Sequence, residues 1–107
     1  MLLFSQTVVP PAATTLIASY VVPTRSGSFA VNFNGIRAWA NADGEYWIYR
    51  NGVLLTGGRT SGAEPTLLLD WSSVPVGCIG GDVLLVYVSH AQLTPITFNC
   101  TMLLDLV

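Results

Sequence analysis

His90 is the only histidine in this chain of 107 residues, and it is the natural first place to look for catalysis. An imidazole can activate a hydroxyl or thiol if that nucleophile lies within hydrogen-bond reach and an acid orients the ring. Ser89 is adjacent, but neighbouring side chains on a strand point to opposite sheet faces, so the pair cannot act together on a continuous strand. His90 therefore reads as a hydrogen-bonding or surface residue where a strand meets a loop. Asp43 and Glu45 flank Gly44 and could begin a calcium loop or an acid–base pair, yet a hard cation needs more oxygens and paired carboxylates need a cleft. A solvated turn, or carboxylates meeting the arginines of a neighbour, is the simpler reading. Gly57-Gly58 and Gly77-Cys78-Ile79-Gly80-Gly81 match neither a dinucleotide fingerprint nor a P-loop, because no helical pattern follows and the chain contains no lysine.

Cys78 and Cys100 lack metal-ligand spacing and are too few for a disulfide framework. They read as buried free thiols, with a single bridge left open. Asn99-Cys100-Thr101 fits a glycosylation sequon but falls inside a strand pattern, which marks it as a chance match. Trp39, Tyr46, Trp47, Tyr49 and Trp71 could build a platform on which sugar faces stack, although core or interface packing is the commoner use of such rings. Arg59 and Glu64 stand as the only charges of the longest polar stretch, placed to contact a neighbouring subunit. The expectation is a protein with no enzymatic activity and no cofactor or metal.

Composition points the same way. Only 9% of residues are charged, against about a quarter in ordinary soluble domains, and all four cations are arginine. Arginine is enriched and lysine depleted at protein interfaces, so this balance suits an exterior that is largely contact surface. A free monomer of this kind should be poorly soluble. The net charge of −2 leaves too few cations to neutralise a run of phosphates, so nucleic acid is not an expected partner. Apolar residues make up 51% of the chain, but every apolar run is broken before the span of about 20 residues that a membrane helix needs. Met1-Leu2-Leu3-Phe4 lacks a basic flank and soon meets Pro10-Pro11, so it is expected to belong to the mature protein rather than to a signal peptide.

The elements that must position these residues are strands. Leu2 to Val9 and Thr15 to Val22 are apolar and β-branched and are parted by Pro10-Pro11, which fits edge strands or an extended arm over residues 1–22 that reaches onto a neighbour. Residues 23–107 are expected to form the sandwich proper. Ser28 to Asn34 alternates with Phe29, Val31 and Phe33 on one face, and Asn34-Gly35 offers a tight turn into Ile36 to Ala40. Glu45 to Arg50 and Val53 to Thr56 flank Asn51-Gly52, the signature of a type I′ hairpin, with Arg50 opposite Val53, Tyr49 opposite Leu54 and Ile48 opposite Leu55. Both hairpin faces carry large apolar groups, so one face fills the core and the other needs a cover. Residues 57–66 read as a surface loop, Leu67 to Trp71 as a strand, and 72–81 as a connection. Asp82 to Ser89 is apolar on both faces, as in a central strand, and the stretch from Pro95 to Val107 turns Ile96, Phe98, Cys100, Met102 and Leu104 inward. The fold class expected is all-β, an antiparallel sandwich or jelly roll of about eight strands with an extended N-terminal arm.

Three runs carry a family likeness: Tyr46-Trp47-Ile48-Tyr49-Arg50-Asn51-Gly52-Val53, Gly58-Arg59-Thr60-Ser61, and Gly81-Asp82-Val83-Leu84-Leu85-Val86-Tyr87-Val88-Ser89-His90. With the closing strand near Phe98, the chain from about Ser28 onward resembles small β-sandwich domains of tailed-bacteriophage virions: head decoration (cement) proteins, tail and fibre adaptors, and fibre tips. The resemblance implies a virion protein assembled in the host cytoplasm, commonly a homotrimer that contacts capsid or tail proteins, with a glycan as an alternative ligand of a fibre head. Leu2, Phe4, Trp39, Trp47, Tyr49, Arg59, Glu64 and Trp71 are the expected interface residues.

Overall fold

The computed structural model describes residues 2–24 and 30–106, so Ser28 and Phe29, which the sequence assigns to a strand, lie outside the described residues. The described chain contains β1 (Leu2–Val9), β2 (Thr15–Val21), β3 (Ala30–Trp39), β4 (Gly44–Arg50), β5 (Val53–Thr60), β6 (Thr66–Asp70), β7 (Val76–Ile79), β8 (Val83–Ser89) and β9 (Ile96–Leu106). They form two antiparallel sheets. The larger runs β1-β9-β3-β6, with β7 beside the first half of β3, and the smaller runs β2-β8-β4-β5. β1 to β4 alternate between the sheets, β5 stays beside β4 in the smaller one, β6 and β7 return to the larger, and β8 and β9 alternate again, which gives a two-layer β-sandwich.

The inward residues of the two sheets meet in one core. Val31, Phe33, Ile36, Phe98 and Met102 from the larger sheet pack against Tyr46, Ile48, Leu84 and Val86 from the smaller, all fully buried. Of the two readings of residues 1–22, edge strands or an extended arm, the described part takes the first. β1 pairs with β9 along its whole length and β2 with β8, while Val9, Ile17, Ala18 and Val22 enter the core. An apolar strand with in-plane amides gains more from a ladder and a buried face than from extending into water.

β3 departs from the expected turn at Asn34-Gly35. The strand runs straight through, with a bulge between Phe33 and Gly35 in its pairing to β9. The extra residue reverses the parity, so Val31 and Phe33 before it and Ile36, Ala38 and Ala40 after it all face the core. A tight turn here would have stranded one of these two apolar sets in solvent. Gly35 has φ of 138°, and a Cβ there would lie 1.8 Å from the carbonyl oxygen of Leu69. Trp71 partners two carbonyls at this point: its indole Nε1–H donates to Phe33 O at 2.6 Å and its amide to Asn34 O at 2.9 Å.

The Asn51-Gly52 hairpin forms as expected, with positive φ at both residues. Arg50 faces Val53 and Tyr49 faces Leu54, but a bulge then shifts the register, so Ile48 opposes Thr56 rather than Leu55. The ladder continues to Gly44 and Thr60, which puts Gly57 to Thr60 in β5 and shortens the expected loop to residues 61–65. The connection 72–81 likewise contains the short strand β7, whose Pro and Gly neighbours hid it from the pattern.

Candidate functional site

Alternation in β4 sends Tyr46 and Ile48 to the core, and so leaves Trp47 and Tyr49 on the outer face of the smaller sheet. There Trp47 pairs with Tyr87 and Tyr49 with Leu85, and the rings of Tyr49 and Tyr87 meet edge to face at 5.7 Å. These residues, with Thr14 and Gly52, line a groove of about 480 Å³ that carries no charged side chain. Leu16, Val21 and Leu54 extend the apolar surface around it and are 41%, 58% and 52% exposed.

The outer face of the larger sheet is mixed, with apolar side chains standing among polar ones. One row across four strands reads Phe4, Thr101, Arg37, Leu68, and the next reads Gln6, Asn99, Trp39, Thr66. Leu2, Phe4, Val8 and Leu68 stand out from it, each about three-fifths exposed, with Trp39 nearly half exposed. A sheet that faces water on one side normally alternates apolar-in with polar-out; here both sheets have apolar residues on both sides. Of the residues expected at an interface, Leu2, Phe4 and Trp39 thus share one outer face, and Trp47 and Tyr49 the opposite one.

Arg59 and Glu64 fall in a third place, a polar cleft of about 480 Å³ at one end of the sandwich, also lined by Asp43, Glu45, Ser89 and His90. Arg59 lies on β5 rather than in a loop, and its Nη2 is 3.6 Å from Glu45 Oε1, directly across the ladder. Both side chains are largely exposed, so the pair contributes no more than about 1 kcal/mol. Glu64 closes the 61–65 loop through its backbone, donating its amide to Ser61 Oγ at 2.9 Å. Among the described residues no three carboxylate, imidazole or thiol groups converge as metal ligands would.

His90 is buried beneath this cleft. A carbonyl can only accept, so the 2.8 Å contact with Val9 O makes Nε2 the protonated nitrogen, and Nδ1 accepts the Gln92 amide at 3.1 Å. Both ring nitrogens are committed, and the ring stacks on Phe98 at 5.7 Å. Its task in this geometry is to tie the end of β8 in one sheet to the end of β1 in the other. Nearby, Thr60 Oγ1 lies 3.1 Å from both the Tyr46 hydroxyl and Ala42 O, so this buried oxygen is partnered too. Burial pushes the Tyr46 hydroxyl up to about 12. Cys78 and Cys100 are free, and burial raises both thiols, Cys100 to about 12. A thiol held protonated in this way is a poor nucleophile.

Trp71 sits apart from all three places, packed edge to face on Phe33 at 5.1 Å and filling the gap between β6 and β7. The outward Leu68, Leu54, Val21 and Val8 were not singled out from sequence. The signal for two of them was present in the unbroken runs Leu67-Leu68-Leu69 and Val53-Leu54-Leu55, which make a strand apolar on both faces whatever its register. No protein-family model matches the chain, and no curated protein matches it.

Proposed function

We propose that this chain is a virion structural protein, an oligomeric capsid-decoration (cement) or tail-adaptor module that acts through protein–protein contacts. The observation that carries this reading is the apolar side chains on both outer faces, Trp47, Tyr49, Leu85 and Tyr87 on one sheet and Leu2, Phe4, Trp39 and Leu68 among polar neighbours on the other. Patches of this kind on a small domain mark contact surfaces, and the scarcity of charge and absence of lysine fit the same use. The sequence likeness to small virion sandwiches supplies the setting: a homotrimer seated on a capsid shell or tail, without cofactor or catalytic step. The test is the particle with which the chain co-purifies. Stoichiometric recovery in assembled virions supports the reading, and recovery only as a free soluble monomer contradicts it.

A second reading has its own observation, the charge-free aromatic groove on the smaller sheet. Rings presented in a shallow groove suit the apolar faces of a neutral sugar, as in the receptor-binding head of a fibre. Glycan-array binding that disappears in Trp47→Ala supports this reading. Retention of binding in that variant, or no glycan bound by the parent protein, removes it.

A further inference from the structure

Among the described residues the sandwich has four strand edges, and they are not equivalent. β2 is bulged between Leu16 and Ala18, β5 is bulged near Leu55 and carries Arg59, and the remaining edge is split between β6 and β7, of five and four residues. Bulges, charges and short strands are the usual means by which an edge is kept from pairing with another chain. β1 has none of them. Its eight residues pair with β9 without a register shift, and it contains no charge, proline or glycine. Its far side carries the amides and carbonyls that point away from β9, and a row of backbone donors and acceptors is complementary only to another extended strand.

The sequence of β1 indicates which strand. About Gln6 the residue classes are palindromic: Ser5 and Thr7 are hydroxyls, Phe4 and Val8 are large and apolar, and Leu3 and Val9 are apolar. Gln6, Phe4 and Val8 are exposed on the outer face. Antiparallel pairing about a twofold axis through Gln6 sets each class against its own class, which is the self-complementarity an isologous contact requires. Phe4 of each copy then faces Val8 of the other, a favourable aromatic and β-branched cross-strand pair, and no like charges meet.

We propose that β1 is an open docking edge that pairs antiparallel with β1 of a second copy, joining the two larger sheets into one continuous sheet across a twofold axis. The contact uses an edge, so it leaves both outer faces available and does not rest on the virion reading.

Amide hydrogen exchange on the intact chain at micromolar concentration tests it. In an unpaired edge strand, alternate amides of residues 2–8 exchange freely, because only those turned toward β9 are bonded. Pairing protects consecutive amides. Gln6→Lys places two ammonium groups face to face on the axis and should weaken association at least about fivefold and restore the alternating pattern. Protection of β8 and β9 should be unchanged in that variant. Gln6→Thr, uncharged and well suited to a strand, should keep the pairing. An alternating pattern in the parent protein, or association that Gln6→Lys leaves unaltered, would overturn the proposal.

Discussion

Replacing Trp39 by serine separates what the outer face does for the folded domain from what it does for assembly. Trp39 lies on β3 between Asn99 and Thr66 and is 46% exposed. A tryptophan presents up to about 250 Å², so roughly 115 Å² still faces solvent in the lone domain. Covering that area at about 25 cal/mol per Å² is worth about 3 kcal/mol. Trp39→Ser should then weaken association about 100-fold, since each 1.4 kcal/mol is about a factor of ten. Within the domain the ring contributes only cross-strand contacts, and the variant should lose about 1 kcal/mol of folding stability. Sedimentation across a dilution series gives the first quantity and urea unfolding the second. Unaltered association would refute the argument that this face is a contact surface. A large loss of folding stability with normal association would show instead that the ring serves the fold.

Three further outcomes follow from the fold. Gly35→Ala forces a Cβ against Leu69 O at a φ that L residues rarely adopt, and should destabilise by about 3 kcal/mol in urea titration with an unchanged m-value. Stability should also fall at alkaline pH. Burial raises the Cys100 thiol from 9.0 and the Tyr46 hydroxyl from 10.0, each to about 12, so each contribution is whole below its unfolded value and is lost as pH climbs to the folded one. The expected slope is about 1.4 kcal/mol per pH unit per group, and Cys100→Ala should remove one group's share of the loss above pH 9 in thermal melts, while Cys78, whose thiol burial also raises, keeps the onset there. Asn51→Gly keeps the turn's positive φ but removes the side chain that donates to Asp82 Oδ1 at 3.0 Å and accepts from the Val83 amide at 2.8 Å, at a cost of about 1–2 kcal/mol. The first of those bonds, together with the Ile79 amide, holds the Asp82 carboxyl below its ordinary 3.8, so the variant should also lose less stability than the parent as pH falls below that value.

Alternation and turn chemistry carried most of the architecture, because both are local. The Asn51-Gly52 hairpin, the doubly apolar β8 and the inward series of β9 are set by residues within a few positions of one another. The bulges were not legible in this way. At Gly35 the chain chooses between a turn and a bulge according to whether Phe33 and Ile36 share a core, and that depends on β6 and β9, far away in sequence. The same non-locality decided the outer faces. Both sides of β4 are apolar in the sequence, and only packing against Phe98 and Leu84 fixes Tyr46 and Ile48 as the inner pair. His90 read as a hydrogen-bonding or surface residue; it is buried, which leaves the first, and its partner Val9 is 81 residues away.

The most direct test of the central claim is the solution mass of the intact chain at micromolar concentration. Exposed apolar side chains on the outer faces of both sheets predict a defined multiple of the 11.4 kDa chain that dissociates only on strong dilution or on mutation of those faces. A soluble, monodisperse monomer with Trp39 and Trp47 open to solvent would contradict it.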